Sequence, residues 1–167
     1  MKRVAILSDT HIPSRESEIP DWVEDHLESA DHVLHAGDFD SPDAYDRVRE
    51  LTAGTLTAVA GNVDPASLGL PSVATVDVEE VRFVLTHGTG DPATYEQRIA
   101  NTVRRNADGE ETLVGVSGHT HEVLDTTVDG VRLLNPGSAT GARPANGTTM
   151  YVARVDGGSI DIELLER

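Results

Sequence analysis

The chain has 167 residues, a formal net charge of −16 from 13 Lys plus Arg against 29 Asp plus Glu, and no cysteine. That length suits one domain over residues 1–167 with a real core and a single site, and the missing cysteine excludes disulfides and thiolate metal sites. A field of this sign disfavours nonspecific binding to nucleic acid or anionic lipid, and acidic residues in a chain whose only lysine is Lys2 point to a halophilic, high-salt cytoplasm where screening tolerates self-repulsion.

The opening "MKRVAILSDTH" has two basic residues and a short apolar run, but the run meets Ser8, Asp9 and His11 in place of a small-residue cleavage site. It therefore reads as a strand over 3–8 and not as a signal peptide. No apolar stretch approaches the length of about twenty residues a membrane span needs, so a cytoplasmic protein with no membrane partner is expected.

A helix is predicted over 20–29, opened by Pro20 with Trp22, Val23 and Leu27 on one face, then a strand over 31–38. Ser41 and Pro42 form the start of a second helix over 42–51, and a third strand follows over 56–62. This β-α-β-α-β order implies a parallel sheet with right-handed crossovers.

"SVATVDV" and "VRFVLTH" around Glu79 and Glu80 read as a hairpin, and Asp91 and Pro92 start a helix running to Arg105. The last third is strand-rich: 112–118, 122–128, 131–134, 148–155 and 159–165, with long-loop material at 136–147. The whole is an α/β domain, with either one mixed sheet or two sheets packed face to face and helices outside.

Five predicted strands end in groups that bind metal: Asp9 and His11; Asp38; Asn62; His87; His119 and His121. In open α/β sheets, ligands gather beyond the carboxyl ends of the strands, so these seven side chains are expected to converge. Seven N and O donors exceed one tetrahedral ion and suit two ions sharing a carboxylate, an arrangement that clamps in-line displacement at phosphorus. In extended chain, i and i+2 point the same way, which would let Asp9 with His11, and His119 with His121, face one site. His26 and His32 fit no such pattern and are assigned to solvated helix or loop positions.

"SDTHIP", "HAGD", "GNVD", "THG" and "GHTH", in that order over nearly the whole chain, resemble the signature blocks of the calcineurin-like metallophosphoesterases. The "NPGS" block at 135–138, with Arg143 after it, resembles more specifically the small YfcE-like phosphodiesterases of bacteria and archaea. The resemblance implies a four-layer αββα sandwich with one divalent ion held by Asp9, His11, Asp38 and His121. The other ion would be held by Asp38, Asn62, His87 and His119, with Asp38 shared and Gly118 giving the backbone close approach.

Of the possible ions the resemblance favours Mn²⁺, with Ni²⁺, Zn²⁺, Fe and Co²⁺ as alternatives. It implies hydrolysis of a small phosphate ester, foremost a phosphodiester, by in-line attack of an activated water, with Asp38, Asn62 and His87 essential to catalysis. Nucleic acid is not expected as a partner, since there is no basic stripe, and self-association into a homo-oligomer is left open.

Two positions depart from the wider family: Val63 stands where many members have a histidine thought to protonate the leaving oxygen, and Thr89 where many relatives have a further histidine. His35 is either a group that orients a ligand from behind or an ordinary buried strand histidine; Arg143 either holds a substrate phosphate or makes a surface ion pair. The alternative function is a non-catalytic, metal-binding interaction scaffold, as implied by the retromer subunit of the same structural group.

Overall fold

The computed structural model describes residues 1–109 and 111–167. In chain order the elements are β1 (Lys2–Leu7), α1 (Asp21–Glu28), β2 (His32–His35), α2 (Pro42–Leu51), β3 (Leu56–Ala58), β4 (Val73–Val78), β5 (Val81–Thr86), α3 (Tyr95–Arg105), β6 (Thr112–Val116), β7 (Val123–Val128), β8 (Val131–Pro136), β9 (Thr149–Asp156) and β10 (Ser159–Glu166). They form two five-stranded sheets, ordered β10-β9-β1-β2-β3 and β4-β5-β6-β8-β7. Of the two arrangements the sequence allows, the chain adopts the pair of facing sheets.

The burial pattern of β1 shows why. Val4 and Ile6 point into the core between the sheets, together with Phe83, Leu85, Val114 and Val116 from the second sheet. Ala5 and Leu7 point the other way, into a core shared with Val23 and Leu27 of α1 and Val48 of α2. A strand buried on both faces must be apolar at every position, which is the continuous run seen in the sequence. On the far side α3 lays Tyr95, Ile99 and Val103 against Val84 and Leu133, completing a sandwich of helix, sheet, sheet and helix.

Strands β1, β2 and β3 are mutually parallel, as are β5, β6 and β8, so the carboxyl ends within each set share one edge of its sheet. Helix α2 begins as predicted: the Ser41 hydroxyl accepts from the Ala44 amide at 3.2 Å, and Pro42 occupies the first turn.

Several boundaries differ from expectation. Strand β3 ends at Ala58, because beyond Val59 the chain turns into the loop that carries Asn62. The predicted helix from Pro92 opens with a 3₁₀ turn, Pro92–Thr94, stabilised by the Asp91 carboxylate accepting from the Ala93 amide at 2.9 Å, and only then becomes α3. A further 3₁₀ turn, Ala66–Leu68, lies in a stretch with no predicted element. His32 is the first residue of β2, paired in register with Val4, while His26 sits on α1 edge-on to Trp22. No helix among the described residues is long and apolar enough to cross a membrane.

Gly115, in the middle of β6, sets the distance of α3 from its sheet. A Cβ there would lie 2.7 Å from Val103 Cγ2 and 2.8 Å from Leu133 Cδ2. Gly115→Ala should therefore destabilise the fold by about 1–3 kcal/mol through overpacking. Urea denaturation measures this; an unchanged midpoint and slope would show that α3 has slack the packing does not reveal.

Candidate metal centre

The seven predicted donors lie in loops that leave the strand ends. Five of them adopt the left-handed backbone region: Asp9 (φ 53°), His11 (φ 47°), Asp38 (φ 62°), His119 (φ 73°) and His121 (φ 61°). For residues with a Cβ this conformation is costly, of order 1–3 kcal/mol each, and persists only where surroundings enforce it. The expectation that extended alternation brings i and i+2 together is therefore wrong for both pairs. Asp9 and His11 do meet, but through a sharply turned backbone, and His119 and His121 turn towards different groups of donors.

Those groups are Asp9, His11 and His121 on one side and Asp38, His87 and His119 on the other, the donor atoms within each lying within 4.8 Å of one another. Asn62 joins the second, its Oδ1 3.1 Å from both His87 Nε2 and His119 Nδ1. Asp38 stands between the two: its Oδ2 is 3.0 Å from His87 Nε2 and 3.5 Å from His11 Nε2. All seven predicted donors are thus brought together. Asp9, His11, Asp38, His87 and His121 are buried, whereas Asn62 is exposed and His119 half-buried, so the site opens on their side.

Hydrogen bonding fixes which nitrogen each imidazole turns inward. His11 Nδ1 donates to Asp40 Oδ1 at 2.8 Å, His87 Nδ1 to the Ala36 carbonyl at 2.6 Å, and His121 Nδ1 to the Ala142 carbonyl at 2.8 Å. The neutral ring then has a bare lone pair on Nε2. Yet His11 Nε2 and His121 Nε2 face each other at 3.1 Å, and His87 Nε2 faces two oxygens. Asp9 Oδ1 is buried with no hydrogen-bond partner, 3.3 Å from His121 Nε2 and 3.7 Å from His11 Nε2.

Acceptors facing acceptors need a cation among them. Donors about 2.1 Å from one ion stand roughly 3–3.5 Å apart, close to these separations. The residues present fit two divalent ions.

The electrostatics agree. Burial opposes charge on His11, but the neighbouring carboxylates of Asp9, Asp40 and Asp38 raise its pKa above the ordinary value. His87 is raised in the same way by Asp38 and Asp9 against its burial. Burial pushes the Asp9 carboxyl up, yet its contacts with His11 and His121 hold it below the usual carboxylate range. His119, lacking such a partner, is lowered by burial and by His87.

Gly118 behaves as expected: a Cβ there would strike Ser8 Oγ and come within 2.6 Å of Asp9 Oδ2. His35 is fully buried, stacked on Phe39 with ring centroids 3.6 Å apart. Its Nδ1 accepts from the Gly37 amide at 3.1 Å and its Nε2 donates to Thr10 Oγ1 at 3.3 Å, a neutral ring whose pKa burial pushes down to about 3. It joins the Gly37 amide to the Thr10 hydroxyl, one in the loop carrying Asp38 and the other in the loop carrying Asp9, with no hydrogen bond to either carboxylate. Arg143 is exposed and contacts none of the seven donors; its carbonyl accepts from Arg15 Nη1 at 2.5 Å.

Four supporting residues carried no expectation. Ser8 Oγ donates to Asp9 Oδ2 at 2.6 Å, Ser138 Oγ to the Asp9 carbonyl at 2.7 Å, Asp40 holds His11, and Asp64 caps the Asp38 loop. Ser8, Asp40 and Asp64 lie within the signature blocks or beside them, so proximity to a ligand was the available signal.

Groups able to hold metal, gathered beyond the strand ends of a two-sheet sandwich, fit the class of α/β metalloproteins. Residues 1–158 match the calcineurin-like phosphoesterase superfamily domain, and the chain belongs to that family. It is 35% identical over 164 residues, 97% of this chain and 91% of the relative, to a probable metallophosphoesterase of Methanothermobacter thermautotrophicus. In fold it resembles a single-mutant Vps29 from Entamoeba histolytica (TM-score 0.77, 24% identity, 99% of each chain). It also resembles a structure described as a novel archaeal phosphodiesterase (TM-score 0.68, 23% identity, 98% of this chain and 99% of the other).

If converging acceptors are what the ions relieve, Mn²⁺ at a hundred times its Kd should stabilise the folded chain by about 2.7 kcal/mol per site. Asp9→Asn should lose most of that gain at one site. Thermal unfolding with and without Mn²⁺ reads both, and a midpoint indifferent to Mn²⁺ would contradict the assignment.

Proposed function

We propose that the chain is a divalent-metal-dependent phosphoesterase that acts on phosphodiesters. The observation that carries this reading is the pair of donor groups meeting at Asp38, with Asp9, His11 and His121 on one side and Asn62, His87 and His119 on the other. Two bound ions would supply Lewis acidity towards the phosphoryl oxygens and a nucleophile at neutral pH. Asp38, between the two groups, would fix their separation; Asn62 and His119, on the open side, would face the incoming ester. The mixed imidazole, carboxylate and amide donors suit Mn²⁺ as well as Zn²⁺, Ni²⁺, Fe or Co²⁺, and the family resemblance favours Mn²⁺.

Position 63 limits the leaving group of either ester class, and a cavity beside His121 supports a diester over a monoester. Val63 is 42% exposed beside Asn62 and its amide donates to Asp38 Oδ1 at 3.0 Å, so the position where many relatives have a histidine presents only methyl groups. General-acid help is typically worth about 10²–10⁴-fold, so its absence there favours an ester whose leaving oxygen departs without it. Beside His121 a cavity of about 650 Å³, walled by Glu122, Val123, Pro144 and Thr148, has room for a second ester arm. Arg143 follows Ala142, whose carbonyl holds His121, and from that exposed position would bind a substrate phosphate.

The scaffold alternative draws on the shared fold with Vps29, and turnover separates it from ours. With metal stripped and Mn²⁺ restored, in high salt, we expect bis(p-nitrophenyl) phosphate to be hydrolysed faster than p-nitrophenyl phosphate, and Asp38→Ala to reduce turnover to background. Ions bound at wild-type stoichiometry with no turnover of either ester would favour the scaffold.

A further inference from the structure

The Asp64 carboxylate is half-buried in the loop after β3 and takes no part in either donor group. Both of its oxygens are nonetheless fully engaged. Oδ1 accepts from the amides of Phe39 at 2.7 Å and Asp40 at 3.0 Å, and Oδ2 from the amides of Asp38 at 2.9 Å and Gly61 at 2.8 Å. Three of these donors are consecutive. Asp38 (φ 62°) and Asp40 (φ 83°) flank Phe39, and this alternation turns successive N–H groups to one side, a concavity suited to an anion. Here the chain fills it with its own carboxylate.

What the carboxylate holds reaches both donor groups. Gly61, one of its partners, precedes Asn62 of the second group. Asp38, another partner, is the residue between the groups. The loop containing Asp38 in turn carries the loop containing Asp9 and His11. The Asp9 amide donates to the Gly37 carbonyl at 3.0 Å, the His11 amide to the Asp38 carbonyl at 3.1 Å, and the Ile12 amide to the Phe39 carbonyl at 3.1 Å. Asp40 completes the connection by accepting from His11 Nδ1 at 2.8 Å.

We propose that Asp64 is a positioning residue that couples the two ion positions, because one carboxylate sets the backbone from which Asn62, Asp38 and, through Asp40, His11 project. This rests on the dinuclear reading above. A residue serving only its own loop would matter to one ion; Asp64 matters to both. In Asp64→Asn an NH₂ replaces one oxygen, so two of the four backbone amides meet a donor in place of an acceptor.

Mn²⁺ titration by calorimetry tests this. For Asp64→Asn we expect affinity to fall together at both sites, by about 10–100-fold, the usual consequence of losing a group that orients ligands. Asn62→Ala should weaken one site and spare the other. An Asp64→Asn protein that loses affinity at one site only, or whose two affinities match the wild type while only its metal-free unfolding midpoint drops, overturns the coupling. A wild type that binds fewer than two ions refutes the dinuclear reading itself, and the coupling with it.

Should Asp64→Asn fail to fold, hydrogen exchange on the metal-free wild type decides. The amides of Asp38, Phe39 and Asp40 should exchange as slowly as those of β2, and exchange at open-loop rates would overturn the proposal.

Discussion

Lone pairs on His11, His87 and His121 converge with the carboxylate oxygens of Asp9 and Asp38 in a buried space, and no proton within the neutral rings lies between them. In a low-dielectric interior such an arrangement is unfavourable by several kcal/mol unless a positive charge occupies it. The rest of the structure is arranged around that unfavourable cluster. Each ring is held from behind through its Nδ1, by Asp40, by Ala36 or by Ala142, so it cannot rotate to hide its lone pair. Each carboxylate oxygen not turned inward is occupied: Asp9 Oδ2 by Ser8 and the His119 amide, Asp38 Oδ1 by the Val63 amide.

Holding these groups needs a backbone that resists relaxing. Five of the seven donors are left-handed, and the sandwich supplies the rigidity that keeps them so. Both sheets contribute: β1, β2 and β3 place Asp9, His11, Asp38 and Asn62, while β5 and β6 place His87, His119 and His121. The His119 amide, after β6, donates to Asp9 Oδ2 at 3.0 Å, and the Ala139 amide, after β8, to the Ser8 carbonyl at 3.1 Å, so the loops of the two sheets are tied directly. Gly37, Gly61 and Gly118 leave no Cβ where the loops crowd together, and that absence lets imidazoles and carboxylates approach within hydrogen-bond distances.

Much of this was legible in the sequence. Strands buried on both faces require unbroken apolar runs, and in this fold each run ends where chemistry begins, so "RVAILS" followed by Asp9, or "TLVGVSG" followed by His119, could be read directly. The left-handed turns were not legible, since Asp and His, though enriched among left-handed residues, adopt that region too seldom for residue type to mark it; the pairing of Asp9 with His11 was expected from strand alternation and is produced by a turn. Asp40 and Asp64 were hidden for a related reason. They act on a ring nitrogen and on backbone amides of neighbours distant in sequence, and in a chain with 29 acidic residues neither stands out.

Anomalous diffraction from crystals of the Mn²⁺-loaded protein tests the central claim most directly. The account predicts two peaks about 3.5–4 Å apart, one among Asp9, His11 and His121, the other among Asn62, His87 and His119, with Asp38 contacting both. A single peak, or two peaks that Asp38 does not join, would contradict it.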